Sequence, residues 1–171
     1  PIVDLFNQTN INHKALFLFK KLKYRDYILV CIKFSGDFKK YFKSISNAQW
    51  IYIHNPDILF SRIQIYNNWG NFLIKDRSRL IIGLELFTSE DSQLWKKPEK
   101  EITALILEDL KKVNIFHIKK IHSSKIFRMK KNYPLFLGTT EEFNKLKKYL
   151  HSFSNLHFIG RNGQHKYYNI D

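Results

Sequence analysis

The residues near the carboxy-terminal end combine side chains that could bind a cofactor or a substrate. A short apolar run at positions 156–159 ends at Gly160, and Gly163 follows with Arg161 and Asn162 between the two glycines. Glycine permits positive φ or the close approach of a ligand, and a guanidinium donates a planar set of hydrogen bonds to phosphate or carbonyl oxygens. The spacing alone is a weak signal, because a strand-to-loop turn with a surface arginine has the same pattern. The apolar run predicts a buried strand before the turn.

The complete string that contains these glycines is more specific than the glycines themselves. It resembles the flavin-binding motif of FAD-dependent oxidoreductases of the protoporphyrinogen oxidase-like, amine oxidase-like and UDP-galactopyranose mutase-like families, which reads Gly-Arg-Asn-Gly-x-His-Arg-Tyr-Asn-Asn-x-Asp in one branch. The matching positions are Gly160, Arg161, Asn162, Gly163, His165, Tyr167, Asn169 and Asp171. Lys166 replaces the arginine conservatively, and Tyr168 departs from the usual asparagine. The resemblance implies that Gly160, Arg161, Asn162, Gly163, Asn169 and Asp171 bind the cofactor.

A second stretch resembles the same families in the middle of the chain. The segments at 50–54, 56–57, 62–64 and 83–85 keep the order and spacing of the family. On a polar sheet face, Arg62 could be an ordinary solvated or ion-paired residue. In the mutase branch, however, the arginine of a similar segment faces the diphosphate of the substrate. The resemblance therefore implies that Arg62 binds substrate, together with Tyr167.

The amino-terminal Rossmann half of these families has no counterpart here, since the sequence contains no Gly-x-Gly-x-x-Gly. The resemblance implies a fragment that corresponds to the last two-fifths or so of a family member. Residues 1–154 would form the substrate-binding domain, and residues 155–171 would be a returning segment of the FAD-binding domain. We expect such a chain to be inactive alone and to bind FAD weakly or not at all, because the glycines that cradle the phosphates are missing.

Periodicity predicts the elements that carry these residues. Strand-like runs occupy residues 27–34, 49–54, 61–66 and 79–87, with one or two more strands between 115 and 129. A short helix ending near residue 22 follows a possible cap at Asn10 or Asn12, and an amphipathic helix covers 99–113. Thr139 or Thr140 followed by two glutamates predicts a last helix to residue 151. The expected fold is α+β, with a mixed, mostly antiparallel sheet and two longer helices.

The net charge of +14 could indicate a nucleic acid or an anionic membrane surface as partner. The lysines are scattered in pairs along the chain, which favours an ordinary solvated surface. We therefore expect no specific nucleic acid partner, although a basic nucleic-acid-binding or structural module stays an alternative.

No apolar run has the length of a membrane span. The seven histidines lack zinc-like spacing, so we expect no metal site.

The single cysteine, Cys31, lies in an apolar run that is typical of a buried structural thiol rather than a nucleophile. One cysteine cannot form a disulfide within the chain, which favours a reducing, cytoplasmic compartment. No side chain stands out as a catalytic acid, base or nucleophile. The resemblance implies that the flavin of the full-length enzyme supplies the chemistry.

The resemblance implies an FAD-dependent oxidoreductase in which a hydride passes from a substrate C–H bond to oxidised flavin. The alternative is a UDP-galactopyranose mutase-type enzyme, in which reduced flavin attacks the anomeric carbon of a nucleotide sugar. Asn162 and His165 favour the oxidoreductase branch. Tyr168 and the segment around Arg62 keep the mutase branch open.

Overall fold

The computed structural model describes residues 4, 13–35, 47–70, 72–76, 78–115, 120–135 and 140–168. The chain divides into two compact units. We call Tyr27–Met129 the sheet unit, and Pro1–Asp26 together with Lys130–Asp171 the terminal unit. The family-based division after residue 154 is a different one and stays a prediction.

Five β-strands of the described residues form one open sheet with the order β2-β3-β4-β1-β5. Their bounds are β1 Lys23–Ser35, β2 Trp50–Tyr52, β3 Arg62–Ile65, β4 Ile81–Thr88 and β5 Lys120–Leu135. Strands β2, β3 and β4 pair antiparallel in succession, as the short polar connections between them predict. The α+β fold and the antiparallel character of the sheet are confirmed.

The helices include the two longer ones that the sequence predicts. Their bounds are α1 His13–Lys21, α2 Gln93–Lys96, α3 Glu99–Val113, α4 Thr140–Leu150 and α5 Gly160–Gly163, and a 3₁₀ turn covers Tyr66–Asn68. Helix α3 ends at Val113, and the next residue, Asn114, has a left-handed backbone (φ 53°) while its N–H donates to the carbonyl of Leu110. Asparagine tolerates this conformation better than most residues, so the helix ends where the sequence predicts.

Alternation along the strands builds the core of the sheet unit. Ile63 and Ile65 of β3 and Leu84 of β4 lie fully buried on one face of the sheet. Helix α3 covers that core with Ile102, Ile106 and Leu110, which are also fully buried. The predicted apolar stripe of α3 is thereby confirmed, with Leu105 and Val113 only partly buried. The opposite face of β3 and β4 carries the polar side chains.

The terminal unit has its own smaller apolar core. Phe19 of α1 packs with Leu146 and Leu150 of α4, and Leu22 completes the buried cluster. Phe143 and Tyr149 pack against it while partly buried. Phe143, Leu146 and Leu150, three and four positions apart, lie on one face of α4, which is the face that packs.

The predicted buried strand at 156–159 is wrong. These residues belong to no strand, and the Ile159 side chain is 80% exposed. Ile159 has an extended backbone (φ −120°, ψ 161°), but strand formation also requires a neighbouring strand, and none of the five strands pairs with it. Leu156 and Phe158 instead pack against the core of the terminal unit.

Two further expectations concern strand lengths and caps. In the described part of the segment predicted as one or two strands, strand β5 passes through Ser123 and Ser124 without a break. The caps predicted at Asn10, Asn12 and Thr139 lie outside the described residues.

Candidate functional site

The glycine turn predicted to contact a cofactor forms a single helical turn, α5, at the surface of the terminal unit. Gly160 is its first residue and has a φ of +69°, a value that residues with a side chain rarely adopt. No heavy atom lies within 4 Å of the position that a Cβ of Gly160 would take. The N–H of Gln164 donates to the carbonyl of Gly160 at 3.0 Å and closes the turn. The backbone of Gly160 is therefore accessible, next to the exposed side chain of Ile159.

The two polar side chains inside the turn have different surroundings. The guanidinium carbon of Arg161 lies 4.1 Å from the centroid of the Tyr133 ring, a cation–π contact. The Oδ1 atom of Asn162 is buried and has no hydrogen-bond partner among the described residues. A buried acceptor of this kind is costly unless a donor reaches it. Asn162 is therefore able to receive an N–H or O–H donor from a ligand.

A cavity of about 560 Å³ lies along the same part of the terminal unit. Its walls include Leu150, Phe158 and Ile159, together with Gly163 and Gln164 of the turn region. The lining is mainly apolar, which is typical of sites that hold flat organic ligands.

One of the remaining predicted residues of this region lies at its surface. Tyr167 is 59% exposed, so its ring is accessible to solvent. Asn169 and Asp171 lie outside the described residues. Their predicted cofactor-binding role stays a prediction, as do the roles of Gly160, Arg161, Asn162 and Gly163.

Arg62, the other predicted binding residue, lies in the sheet unit as part of a hydrogen-bonded network. Its Nη2 donates to Oε2 of Glu85 at 2.6 Å, and its Nη1 lies 3.4 Å from the hydroxyl of Tyr52. Gln64 donates from Nε2 to the other carboxylate oxygen of Glu85. The register explains this network, because Arg62 stands opposite both Tyr52 of β2 and Glu85 of β4. All these side chains therefore share one sheet face, which we call the Arg62 face.

Aromatic rings surround this arginine. Its guanidinium carbon lies 5.5 Å from the centroid of the Trp50 ring and 5.7 Å from that of Tyr52. Trp69 meets Trp50 edge-on, with 4.6 Å between ring centroids. Both indole Nε1 atoms are buried without a hydrogen-bond partner among the described residues. The Arg62 face thus offers flat apolar surface and two N–H donors.

A second cluster lies beside this network. The hydroxyl of Tyr66 lies 4.0 Å from Sγ of Cys31, and burial raises the pKa of both groups. A raised thiol pKa lowers the thiolate fraction, so Cys31 is a poor nucleophile, as expected for a structural thiol. A Cβ on Gly83 would stand 2.5 Å from the Tyr66 hydroxyl. The hydroxyl end of the Tyr66 ring therefore packs directly against the backbone of Gly83, where there is no room for a side chain.

Sequence reasoning missed the residues that hold these sites. Glu85 and Trp50 contact Arg62, Trp69 meets Trp50, and His165 is buried next to the glycine turn, yet none received a role from its pattern. The alternation of β3 indicates the face of Arg62, but only the register brings Glu85 to it. Within the described ranges, no group of three His, Cys, Asp or Glu side chains is arranged to hold a metal ion.

No sequence-family model and no curated protein sequence matches this chain. Solved structures with a similar fold include two that are flavoenzymes by their names. A reduced UDP-galactopyranose mutase superposes on 95% of this chain with a TM-score of 0.75 and 18% identity. A protoporphyrinogen oxidase-like protein from Exiguobacterium sp. 255-15 covers 88% with a TM-score of 0.61 and 12% identity.

The predicted resemblance is confirmed at the level of the fold. This chain spans 34% of the mutase chain and 31% of the oxidase-like chain, about a third of either. In the part of the chain that the structure describes, no helix combines the length and the apolar character needed to cross a membrane.

Proposed function

We propose that this chain is the substrate-domain part of an FAD-dependent oxidoreductase and that the Gly160–Gly163 turn contacts the flavin. The observation that carries the proposal is the fold, which 95% of the chain shares with a third of a UDP-galactopyranose mutase. The motif resemblance supports it independently, because the families concerned use FAD. The remaining part of such an enzyme, including a Rossmann half, would be supplied outside these residues.

The terminal unit has features that fit a flavin. The open backbone at Gly160 and the exposed Ile159 form a surface that a flat ring can approach. The buried Oδ1 of Asn162 can accept a hydrogen bond from a ring N–H. Arg161 brings a positive charge next to this surface, where it would favour the negative charge of a phosphate or a reduced ring. A bound flavin would supply the redox or nucleophilic chemistry.

The sheet unit would bind and orient the substrate. Trp50 and Tyr52 offer aromatic surface on which a planar group can stack, and the buried indole N–H groups offer donors to phosphate or hydroxyl oxygens. Glu85 fixes the guanidinium of Arg62 but also offsets its charge. Arg62 would therefore act through directed hydrogen bonds from a held guanidinium rather than through a free positive charge.

A mutase acting on a nucleotide sugar is the second candidate. The higher TM-score and the larger covered share of the chain for the mutase favour it over the oxidase-like neighbour. The aromatic rings and donors of the Arg62 face also suit the base, sugar and diphosphate of such a substrate. Substrate turnover distinguishes the two candidates.

The test uses the complete open reading frame that contains this chain, expressed with FAD. We expect a yellow protein, and Arg161→Ala should lower its flavin affinity on the order of ten- to a hundredfold, because charge-assisted contacts are lost. Arg79→Ala is the matched control, since Arg79 pairs with Asp76 at the surface of the sheet unit. A folded, colourless protein would contradict the proposal.

Arg62→Lys tests the substrate role without leaving Glu85 unpaired. Lysine keeps the charge but lacks the planar fork of donors, so we expect unchanged flavin content and weaker substrate binding or turnover. Turnover of UDP-galactopyranose by the reduced protein would identify the mutase, and flavin reduction by a non-sugar substrate would identify the oxidoreductase. Loss of flavin in Arg62→Lys with full flavin in Arg161→Ala would reverse the two assignments.

A further inference from the structure

His165 is buried behind the glycine turn, where three elements of the terminal unit surround its ring. The side chain is 3% exposed. The Tyr24 ring of β1 meets it edge-on at 5.3 Å between centroids, and the Phe143 ring of α4 stacks at 5.4 Å. Its Nε2 lies 3.3 Å from the carbonyl oxygen of Leu135 in β5. One imidazole therefore joins the turn region to β1, β5 and α4.

The backbone of His165 supports a specific role for this position. Its φ is 45°, in the left-handed region that is unfavourable for a residue with a Cβ. Such conformations persist where the surrounding structure over-determines them, and they concentrate at functional sites. The sequence places glycines two and five residues earlier but a histidine here, so interactions of the side chain must offset the cost of this backbone conformation.

The residues on either side of His165 are tied directly to the turn. The N–H of Gln164 donates to the carbonyl of Gly160 at 3.0 Å, and the N–H of Lys166 donates to the carbonyl of Arg161 at 3.1 Å. Any displacement of His165 would therefore move both hydrogen bonds, and with them the backbone of the turn.

We propose that His165, as an uncharged imidazole, is a positioning residue that clamps the Gly160–Gly163 turn onto the terminal unit, and that acidification releases the turn. The inference rests on the proposed function in so far as the turn contacts a flavin. The clamp itself concerns only this chain and can be tested without a cofactor.

The chemistry of the ring explains why the charge matters. The carbonyl of Leu135 can only accept, so Nε2 carries the proton in the neutral tautomer. A second proton would place a positive charge in a buried position, and burial lowers the pKa of His165, while the Leu135 carbonyl works in the opposite direction.

Two of the side chains that face the ring are aromatic and carry no charge at neutral pH. From β1 it meets Tyr24, whose pKa burial raises to about 12, so this phenol stays neutral. From α4 it meets the uncharged ring of Phe143. The carboxylate of Asp4 acts on Tyr24, but it is paired with the Nζ of Lys131 at 2.8 Å.

The sign of the pH effect follows from the lowered pKa. The unfolded or released histidine takes up a proton near pH 6.5, whereas the clamped one does so at lower pH. The clamp therefore has its full strength above about pH 6.5 and weakens as the pH falls below that value towards the lowered pKa.

Hydrogen–deuterium exchange of this chain measures the clamp. Between about pH 7.5 and pH 5.5, and after correction for intrinsic rates, we expect protection of the 160–168 amides to fall by up to about tenfold, because pH 5.5 lies about one unit below the ordinary pKa of histidine. Amides of α3 in the sheet unit are the internal reference. Unchanged relative protection of 160–168 would overturn the proposal.

Two variants separate the charge from the packing. His165→Phe keeps a buried ring but cannot titrate, so its 160–168 protection should lose the pH dependence. The matched control, His151→Phe, removes an exposed histidine of the same unit, and its 160–168 protection should keep the pH dependence. A pH dependence that survives in His165→Phe would assign the effect to another group and contradict the proposal.

A measurement on the unmodified chain guards against a variant that fails to fold. Nitrogen-15 chemical shifts of the His165 ring should report the Nε2–H tautomer and a pKa below the ordinary value. Titration at or above about pH 6.5 would refute the clamp. If the clamp is found and the complete protein still binds no flavin at any pH, the proposed function fails while the role of His165 stands.

Discussion

The Arg62 face and the glycine turn hold their arginines in opposite ways. Arg62 lies on a paired strand, donates to a buried carboxylate and has a side chain that is 17% exposed. Arg161 lies on a single helical turn, rests on the ring of Tyr133 and has no ion pair among the described residues. The charge of Arg62 is thus offset by Glu85, whereas no carboxylate of the described residues offsets that of Arg161.

This difference bears on which region recognises charge. A guanidinium that is already paired with Glu85 offers directional donors but little net attraction for an anion. An unpaired guanidinium stacked on a ring keeps its full charge and is weakly hydrated. We therefore expect the turn to contribute more to anion affinity, and the Arg62 face to contribute more to the orientation of a substrate.

The largest effect is expected when the Arg62 face loses its carboxylate. Glu85→Ala leaves Arg62 partly buried without its partner, and breaking a buried pair in this way costs about 3–5 kcal/mol of unfolding free energy. All three tryptophans, Trp50, Trp69 and Trp95, lie in the sheet unit, so urea unfolding followed by their fluorescence reports on this unit.

Glu101→Ala is the matched control for that change. Glu101 pairs with Lys97 at the surface of α3, and exposed pairs of this type contribute about 0–1 kcal/mol. Equal losses of stability in the two variants would mean that the carboxylate of Glu85 is not held as the structure shows.

The contrast also explains what the sequence could predict. Alternation of Arg62, Ile63, Gln64 and Ile65 predicts which face of β3 is polar, because the strand period is two. It does not predict Glu85 as the partner, since the partner depends on the register between β3 and β4. Local patterns thus gave the elements and their faces, while the pairs across elements required the folded structure.

At the glycine turn, too, local sequence patterns predict the backbone but not the contacts with distant residues. The two glycines predict an unusual backbone, and Gly160 has one. The strand predicted before it does not form, because an extended, apolar segment becomes a strand only beside another strand. The part played by His165 depends on Tyr24, Phe143 and Leu135, which are distant in sequence, so no local pattern could indicate it.

An intermediate loss of stability is expected at the contact between Gly83 and Tyr66. Gly83→Ala would place a Cβ 2.5 Å from the Tyr66 hydroxyl and 3.1 Å from Cδ1 of Leu29. Overpacking of this kind costs about 1–3 kcal/mol, which urea unfolding of the sheet unit would detect. Adding Tyr66→Phe removes the nearest atom and should restore part of the loss. A double variant no more stable than Gly83→Ala would show that the hydroxyl is not the obstacle.

The smallest effect is expected where Arg161 rests on Tyr133. Tyr133→Leu removes the aromatic face that supports the guanidinium, and an exposed cation–π contact contributes about 0.5–1 kcal/mol. Because the terminal unit has no tryptophan, the readout is hydrogen exchange of the 160–168 amides, which should speed up about two- to fivefold. Tyr133→Phe keeps the ring and removes only the hydroxyl, so it should leave exchange almost unchanged. If both variants speed up exchange equally, the hydroxyl of Tyr133 supports the turn, and the cation–π contact with Arg161 does not.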